Sequence, residues 1–188
     1  DYYLCLSKLS SHAGYITINI SSPNTDGLRD FHDQKELEKL LKGVENIKKE
    51  KNISKPLAIK LSPDINDNQI SKIYEIIKKF SISGIIISNT TDSNRDNLSD
   101  IKKHETGGLS GQPLKDISTS LIKKFYKETK GKIKIIGVGG VDSGKSAFEK
   151  ITAGADVIQL YTGMVYKGPG IVKEIKKELI SILKKENL

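Results

Sequence analysis

The sequence predicts an α/β fold in which short apolar strands alternate with amphipathic helices. Five runs rich in Ile or Val are nearly continuously apolar, which is typical of strands covered on both faces. Helical patterns separate these runs, so the strands should be parallel and joined by right-handed crossovers. Small polar residues and glycines follow the strands, at the end where ligands bind in such folds.

Each element follows from its own pattern. Strands are predicted at 15–20, 57–62, 84–88, 133–138 and 156–161. Apolar residues recur with a period near 3.6 in the segments between and after them, which predicts helices at 34–49, 67–80, 114–129, 143–152 and 170–186. The segment before the first strand is expected to be a helix or its connection. The longest irregular stretch, 89–113, follows the third strand, and loops of this length are often functional.

Two architectures accommodate five such units: an open doubly wound sheet and part of a (β/α)8 barrel. A complete barrel needs about 250 residues and eight strands, whereas this chain has 188 residues. That length fits one domain, and no internal repeat or low-complexity linker divides it.

Composition narrows the function classes. The formal charge is +8, and only Arg29 and Arg95 are arginines among the 31 basic residues. Nucleic-acid sites favour arginine forks and aromatic platforms, and this chain has no Trp. We therefore interpret the lysines as solvated helix faces. Cys5 is the only cysteine, so no intrachain disulfide forms. No signal peptide opens the sequence, and no apolar run approaches the roughly 20 residues of a membrane span.

Polar clusters end two of the strands. The first reads Asn-Ile-Ser-Ser-Pro-Asn-Thr over residues 19–25 and offers amides and hydroxyls but no metal-ligand set. It points to an uncharged or anionic planar substrate. The second, Ser-Asn-Thr-Thr over 88–91, would suit a turn or a helix cap if taken alone. Together with Asn19 and Asn24, however, Asn89 makes three amides at two strand ends, which favours a shared polar pocket.

Lys60 interrupts the apolar strand at 57–62. A lysine in a buried strand is costly unless it meets an anion or a carboxylate. The alternative is an edge-facing lysine that snorkels to solvent. The continuously apolar flanks favour the first interpretation, in which Lys60 faces a bound anion or a partner.

Glycines cluster in the long loop at 107–111 and after the fourth strand at 137–140. They permit close backbone approach to a ligand, although those in the long loop could equally form a hinge. Backbone N–H groups at a helix N-terminus bind phosphate, and barrels often hold phosphate between the loops of the last two strands. The glycines after the fourth strand, with the next strand end at 159–163, therefore predict a phosphate site.

Residues 139–146 also match the P-loop pattern G-x-x-x-x-G-K-[ST]. No later strand ends in the Asp that would hold magnesium, since Asp156 begins its strand. We therefore reject a nucleotide hydrolase. His12, His32 and His104 share no spacing typical of a metal site or a triad, and we predict them at the surface.

Six motifs, in order, closely resemble the dihydroorotate dehydrogenase family over essentially all 188 residues. They lie at 19–25, 60–64, 88–91, 105–111, 136–141 and 159–162. The resemblance is to the class 2, quinone-dependent branch, which has a serine as catalytic base where class 1 enzymes have a cysteine. It implies a (β/α)8 TIM barrel with FMN at the carboxyl ends of the strands. The chain would supply about the last five βα units, without the first three units and the N-terminal membrane-associating helices.

The resemblance also implies residue roles. Ser22 would be the catalytic base that takes a proton from C5 of dihydroorotate, with Thr25 in its proton relay. The substrate would contact Asn19, Asn24, Asn89 and Thr90. The FMN site would consist of Asn19, Lys60, Ser88, Gly111, Gly140, Tyr161 and Thr162. Lys60 would lie by the pyrimidine end of the flavin, where a cation favours the anionic reduced form.

The implied activity is oxidation of dihydroorotate to orotate in pyrimidine biosynthesis, with quinone as final acceptor. The implied location is peripheral on the cytoplasmic membrane of a bacterium or the mitochondrial inner membrane, with contact through the N-terminal region. We expect no nucleic-acid partner and no metal. The alternatives are another FMN-dependent pyrimidine reductase and a non-catalytic half-barrel. A five-stranded piece would leave two open sheet edges, so the enzyme is expected to be the parent protein.

Overall fold

The computed structural model of the chain describes residues 1–93, 95–96 and 98–186. Five strands form one parallel sheet: β1 (Ile16–Asn19), β2 (Leu57–Leu61), β3 (Gly84–Ile87), β4 (Lys134–Gly137) and β5 (Val157–Ile158). All five predicted strands are confirmed, each shorter than predicted. The largest difference is at β5, because the chain leaves the sheet after Ile158 to form the loop that leads to the next helix.

The strand order decides between the two architectures. Neighbouring strands follow the chain order β1-β2-β3-β4-β5 without a reversal. A doubly wound sheet reverses its order at a switch point, whereas a barrel wall does not. The sheet is therefore part of a (β/α)8 barrel, as the resemblance implied.

Seven helices lie in the described part of the chain: α1 (Tyr2–Leu9), α2 (Gln34–Glu50), α3 (Asp67–Ile77), α4 (Lys115–Thr129), α5 (Gly144–Thr152), α6 (Thr162–Lys167) and α7 (Ile171–Lys185). The five predicted amphipathic helices are confirmed at nearly these bounds. The helix α6 was not predicted, because its six residues are too few to show a stripe. Short 3-10 turns occupy Ser10–His12, Leu28–His32, Ile101–His104 and Gln112–Leu114.

The main core lies between the sheet and helices α2, α3 and α4. Its centre is the fully buried run of β3, with Ile85 and Ile87 at 0% exposure. The helix α2 buries the predicted stripe of Leu37, Leu40, Leu41 and Val44. A smaller cluster of Val141, Ala147, Ile171 and Ile175 joins α5 to α7.

Helix caps explain where several helices begin. The Asp33 side chain accepts a hydrogen bond from the Lys35 backbone at the start of α2. Asn66 with Gln69, and Ser143 with Ser146, form capping boxes at α3 and α5. No helix within the described ranges is both long and apolar enough to cross a membrane.

The strand register aligns the functional ends of the strands. Asn19 pairs with Lys60, and Ile87 pairs with Gly137. Because the strands are parallel, the residues that follow them emerge at one edge of the sheet. The predicted site motifs therefore lie side by side.

Candidate active site

An open cavity of about 710 Å3 lies at the carboxyl ends of β2 to β5. This volume is in the range of small-molecule sites, about 300–1,000 Å3. Most of the predicted site residues line the cavity: Lys60, Ser88, Asn89, Thr90, Gly111, Gly140, Tyr161 and Thr162. They come from the ends of four strands, β2 to β5, and from the long loop, whose Gly108–Leu114 segment forms one wall.

Hydrogen bonds join the ends of β1 and β3. The side-chain amide of Asn89 donates to Asn19 Oδ1 at 3.2 Å and to Ser21 Oγ at 3.0 Å. The Ser21 hydroxyl in turn donates to Asn19 Oδ1 at 2.9 Å. Asn89 Oδ1 accepts the backbone N–H of Thr90 at 2.8 Å. Two of the predicted amides therefore share one network, and Ser21, which was not predicted as a site residue, is buried at its centre.

The serine loop, residues 21–25 after β1, lies beside the cavity and does not line it. Ser22 is half-buried, and its Oγ accepts the backbone N–H of Asn24 at 3.2 Å. Pro23 lies next to Gly108 of the cavity wall. The Asn24 side chain is exposed and makes no hydrogen bond to another described residue.

Thr25 is placed away from the cavity. It is exposed and lines a second, apolar cavity of about 540 Å3 between α1 and β1. In the part of the chain that the structure describes, no hydrogen bond joins the Thr25 and Ser22 side chains. The structure therefore brings Asn19, Asn89 and Thr90 together, with Ser22 adjacent, but does not bring Thr25 to them.

Lys60 is half-buried in β2 and lines the cavity. Within the described ranges, no carboxylate lies within ion-pair distance of its ammonium group. Burial lowers the pKa of Lys60 below its ordinary value. A partly desolvated cation without a protein counter-ion favours an anionic ligand in this cavity.

Two glycine segments let the backbone approach the cavity. Gly139 and Gly140 have φ of 114° and 68°, in the left-handed region. A Cβ at Gly140 would lie 2.7 Å from the Cα of Lys115, so the loop packs against the start of α4. Gly111, with φ of 80°, packs against Thr162, whose hydroxyl donates to Ser110 Oγ at 3.0 Å.

The segment that matches the P-loop pattern caps a helix. Ser146 Oγ accepts the N–H groups of Asp142 and Ser143 at 3.0 and 3.1 Å. The N–H of Gly144 donates to a carboxylate oxygen of Glu178 at 2.5 Å. These N–H groups are already used. Asp156, predicted to begin its strand, lies one residue before β5 and not at its carboxyl end. The structure agrees with the rejection of a nucleotide hydrolase.

Sequence reasoning missed an ion-pair cluster behind the site. Arg29 lies 3.1 Å from a carboxylate oxygen of Asp64 and 2.7 Å from one of Asp92. It also donates to the carbonyl oxygen of Thr90 at 3.4 Å, and Thr91 Oγ1 donates to Asp64 at 2.5 Å. The available signal was that Arg29 is one of two arginines in a lysine-rich chain.

The prediction that His32 lies at the surface was wrong. His32 is 5% exposed, because the turn Leu28–His32 directs its ring toward the end of β2. Its Nδ1 lies 2.9 Å from the Arg29 carbonyl oxygen, and its Nε2 lies 3.4 Å from the Ser62 N–H nitrogen. This places the proton on Nδ1, where it donates, while Nε2 accepts. His12 and His104 are exposed, as predicted.

No cluster of His, Cys, Asp and Glu that could hold a metal ion occurs within the described ranges. The side chains that line the cavity include amides, hydroxyls, two lysines and the carboxylate of Asp142.

Comparison with known proteins agrees with this geometry. The family model of dihydroorotate dehydrogenase matches residues 1–183. The chain is 45% identical over 186 residues to a dihydroorotate dehydrogenase (quinone) of Vibrio vulnificus strain YJ016, covering 95% of this chain and 54% of that protein. It is 42% identical over 191 residues to a mitochondrial dihydroorotate dehydrogenase (quinone) of Arabidopsis thaliana. That match covers 99% of this chain and 42% of the relative.

The solved structures give the same result. A crystal structure of dihydroorotate dehydrogenase from Eimeria tenella with ferulenol matches at a TM-score of 0.94 and 32% identity. That match covers 100% of this chain and 54% of the solved chain. The chain thus spans about half the length of the relatives it matches. The chain belongs to the dihydroorotate dehydrogenase family.

Proposed function

We propose that this chain carries the substrate-binding and much of the flavin-binding surface of a quinone-dependent dihydroorotate dehydrogenase. The reaction would be oxidation of dihydroorotate to orotate in pyrimidine biosynthesis. The names of the relatives support the reaction and the quinone. Because the chain spans only part of those relatives, the activity is proposed for the intact protein that contains it.

The observation that carries this proposal is the convergence of three groups on one cavity. These groups are a lysine that pairs with no carboxylate in the described part of the chain, an amide network and two glycine segments. The lysine suits an anionic ring, the amides suit carbonyl and carboxylate groups, and the glycines admit a phosphate. A flavin mononucleotide beside a pyrimidine acid needs these three kinds of contact.

We assign FMN to the cavity. Lys60 would contact the pyrimidine end of its ring, and Gly140 with Thr162 would lie at its phosphate. Lys60 pairs with no carboxylate in the described ranges, and the glycine segments line the cavity, which fits such an anionic cofactor. A bound FMN would supply the acceptor for the hydride that leaves C6 of dihydroorotate. The other proposed contacts to FMN are Asn19, Ser88, Gly111 and Tyr161.

Dihydroorotate would bind between the amide network and the serine loop. In the described part of the chain Asn19 uses only its side-chain oxygen in the network, so its NH2 group is left to donate to the substrate. The other proposed substrate contacts are Asn24, Asn89 and Thr90. Thr90 is held from behind by Arg29, which fixes its carbonyl group.

Ser22 would remove the proton from C5 of the substrate. A serine hydroxyl is a weak base, so its oxygen needs assistance as it develops negative charge. The N–H of Asn24 already donates to Ser22 Oγ and would stabilise that charge. Thr25 is proposed as the next group in the proton relay, which requires its exposed hydroxyl to approach Ser22 when substrate binds.

The electrons would pass to a quinone at a site formed mostly by residues outside this chain. Membrane association, at the cytoplasmic membrane of a bacterium or the mitochondrial inner membrane, would also depend on residues outside the chain. The relatives include bacterial and mitochondrial proteins, which supports both locations.

The test is an anaerobic visible spectrum of the intact protein with bound flavin, recorded before and after dihydroorotate is added. We expect the wild-type flavin absorbance to bleach. Ser22→Ala should slow this reduction at least about 100-fold while flavin stays bound, since general-base assistance contributes about 10²–10⁴-fold.

Ser71→Ala, an exposed serine of α3, is the matched control and should bleach at the wild-type rate. Reduction of Ser22→Ala at the wild-type rate would show that Ser22 is not the base. Bleaching by a dihydropyrimidine without the carboxylate, but not by dihydroorotate, would favour a different pyrimidine reductase.

A further inference from the structure

Lys150 is a fully buried lysine that the proposed reaction does not use. It lies in α5 with 0% exposure and is among the largest fully buried side chains. A buried ammonium group is costly unless all its N–H groups are satisfied. In the described part of the chain no carboxylate lies within ion-pair distance of Lys150. Such a residue needs a physical reason to be there.

Three uncharged oxygens of α4 accept hydrogen bonds from Lys150 Nζ. They are the Lys115 carbonyl oxygen at 3.3 Å, Ser118 Oγ at 3.2 Å and Thr119 Oγ1 at 3.0 Å. An ammonium group has three donors, so the set is complete for the charged form. Burial nevertheless lowers the pKa of Lys150 to about 8.

Ser118 carries this contact on to the sheet. Its hydroxyl accepts from Lys150 and donates to the Val138 carbonyl oxygen at 2.5 Å. The same carbonyl oxygen accepts the N–H of Ser88 at 3.0 Å. The Lys150 stem packs on β4, where a Cβ at Gly137 would lie 3.4 Å from Lys150 Cδ.

The glycine loop, residues 138–140 after β4, packs on Ser118 and Lys115 as well. A Cβ at Gly139 would lie 3.2 Å from Ser118 Cβ, and one at Gly140 would lie 2.8 Å from the Lys115 nitrogen. Lys150 therefore bonds directly to the start of α4 and, through Ser118, supports the Val138 carbonyl group. These are the surfaces against which the glycine loop is folded.

We propose that Lys150 is a positioning residue for the phosphate end of the flavin. It acts through Ser118 and the Lys115 carbonyl, and it fixes the backbone of the glycine loop so that the N–H groups of Gly139 and Gly140 face a phosphate. This inference rests on the proposed function, in which the flavin phosphate lies at Gly140. It predicts an effect on the phosphate alone and none on the flavin ring.

The test compares two ligands of the intact protein after its flavin has been removed: FMN, and riboflavin, which lacks the phosphate. Dissociation constants are measured by flavin fluorescence for wild type, Lys150→Met and Ser118→Ala. We expect Lys150→Met to weaken FMN binding about tenfold, the scale of one hydrogen bond to a charged group. Riboflavin affinity should stay within twofold of wild type.

Ser118→Ala should give the same loss of FMN preference, and the double variant should lose no more than either single variant, because both act through one contact. This variant also keeps the proposal testable if Lys150→Met does not fold. Lys145→Met, an exposed lysine of the same helix, removes the same charge and should change neither affinity.

Equal loss of FMN and riboflavin affinity would show a purely structural role and overturn the proposal. Unchanged affinity for both ligands in Lys150→Met and in Ser118→Ala would overturn it as well. A wild-type protein that binds riboflavin as tightly as FMN would instead show that the phosphate placement is wrong, which refutes the proposed flavin site and this inference with it.

Discussion

Arg29 and Asp64 form an ion pair of 3.1 Å that joins the loop after β1 to the loop after β2. The same guanidinium reaches Asp92 and the carbonyl of Thr90 in the loop after β3. Asp64 in turn accepts the hydroxyl of Thr91. One arginine therefore connects the three loops that would surround the substrate.

We expect Arg29→Gln to raise the KM for dihydroorotate about tenfold while flavin stays bound, because the loop that carries Thr90 loses its support. Steady-state kinetics together with the flavin absorbance would measure both effects. The control compares the two carboxylates that pair with Arg29, in the variants Asp92→Asn and Asp64→Asn. The side chain of Asp92 is 52% exposed, whereas that of Asp64 is 21% exposed, so Asp92→Asn should cost less than Asp64→Asn. Equal effects of the two Asp variants would contradict this account.

His32 should make stability depend on pH. Burial lowers the pKa of His32 below 6.5, and its Nε2 accepts the Ser62 N–H only when the ring is neutral. The contribution of His32 is therefore fully present above about pH 6.5. It is lost as pH falls below that value, because the unfolded chain then binds a proton that the folded chain excludes. The slope from one proton is at most about 1.4 kcal/mol per pH unit.

Urea unfolding of the intact protein at several pH values between 8 and 5 would measure this slope. His32→Gln should be less stable at pH 8 and should show a flatter pH dependence. His12→Gln, at an exposed histidine, should keep the wild-type slope. An unchanged slope in His32→Gln would assign the pH dependence to other groups.

Lys60 should raise the reduction potential of the bound flavin. A cation beside the ring stabilises the anionic reduced form, so Lys60→Met should lower the flavin reduction potential. We also expect reduction by dihydroorotate to slow by about 10²-fold, the scale of one lost electrostatic contact in an active site. Potentiometric titration and stopped-flow absorbance would measure the two quantities.

Lys134→Met is the control for Lys60, because Lys134 is an exposed lysine in another strand of the same sheet, β4. It should leave both the potential and the rate unchanged. If Lys60→Met kept the wild-type potential, Lys60 would not contact the flavin ring.

Gly108 tests the packing of the long loop on the substrate site. A Cβ at Gly108 would lie 2.6 Å from Thr90 Cβ and 3.0 Å from Pro23 Cγ. Gly108→Ala must therefore displace Thr90 or the serine loop, and overpacking of this kind costs about 1–3 kcal/mol. We expect the KM for dihydroorotate to rise about tenfold or more.

Gly14→Ala is the matched glycine control, since a Cβ there would meet nothing within 4 Å. Its kinetics should equal those of wild type. Wild-type kinetics in Gly108→Ala would show that the loop does not hold Thr90 in place.

The residue pattern was enough to predict the five strands, the amphipathic helices other than α6 and the strand-end motifs. Continuous apolar runs and 3.6-residue stripes depend on local burial, which the residue order records directly. Lys60 was recognisable for the same reason, because a charge within an apolar strand contradicts its surroundings. The motif order was specific enough to indicate the family before any geometry was known.

Which residues come into contact is set by the packing of elements that are distant in the chain. The unreversed strand order excluded the doubly wound sheet, because strand pairing joins residues far apart in the chain and leaves no local pattern. The inward ring of His32, the Arg29 cluster and the burial of Lys150 depend on partners in other loops and helices. The energy of a buried polar group depends on those distant partners, and the residue itself carries no sign of where they will be.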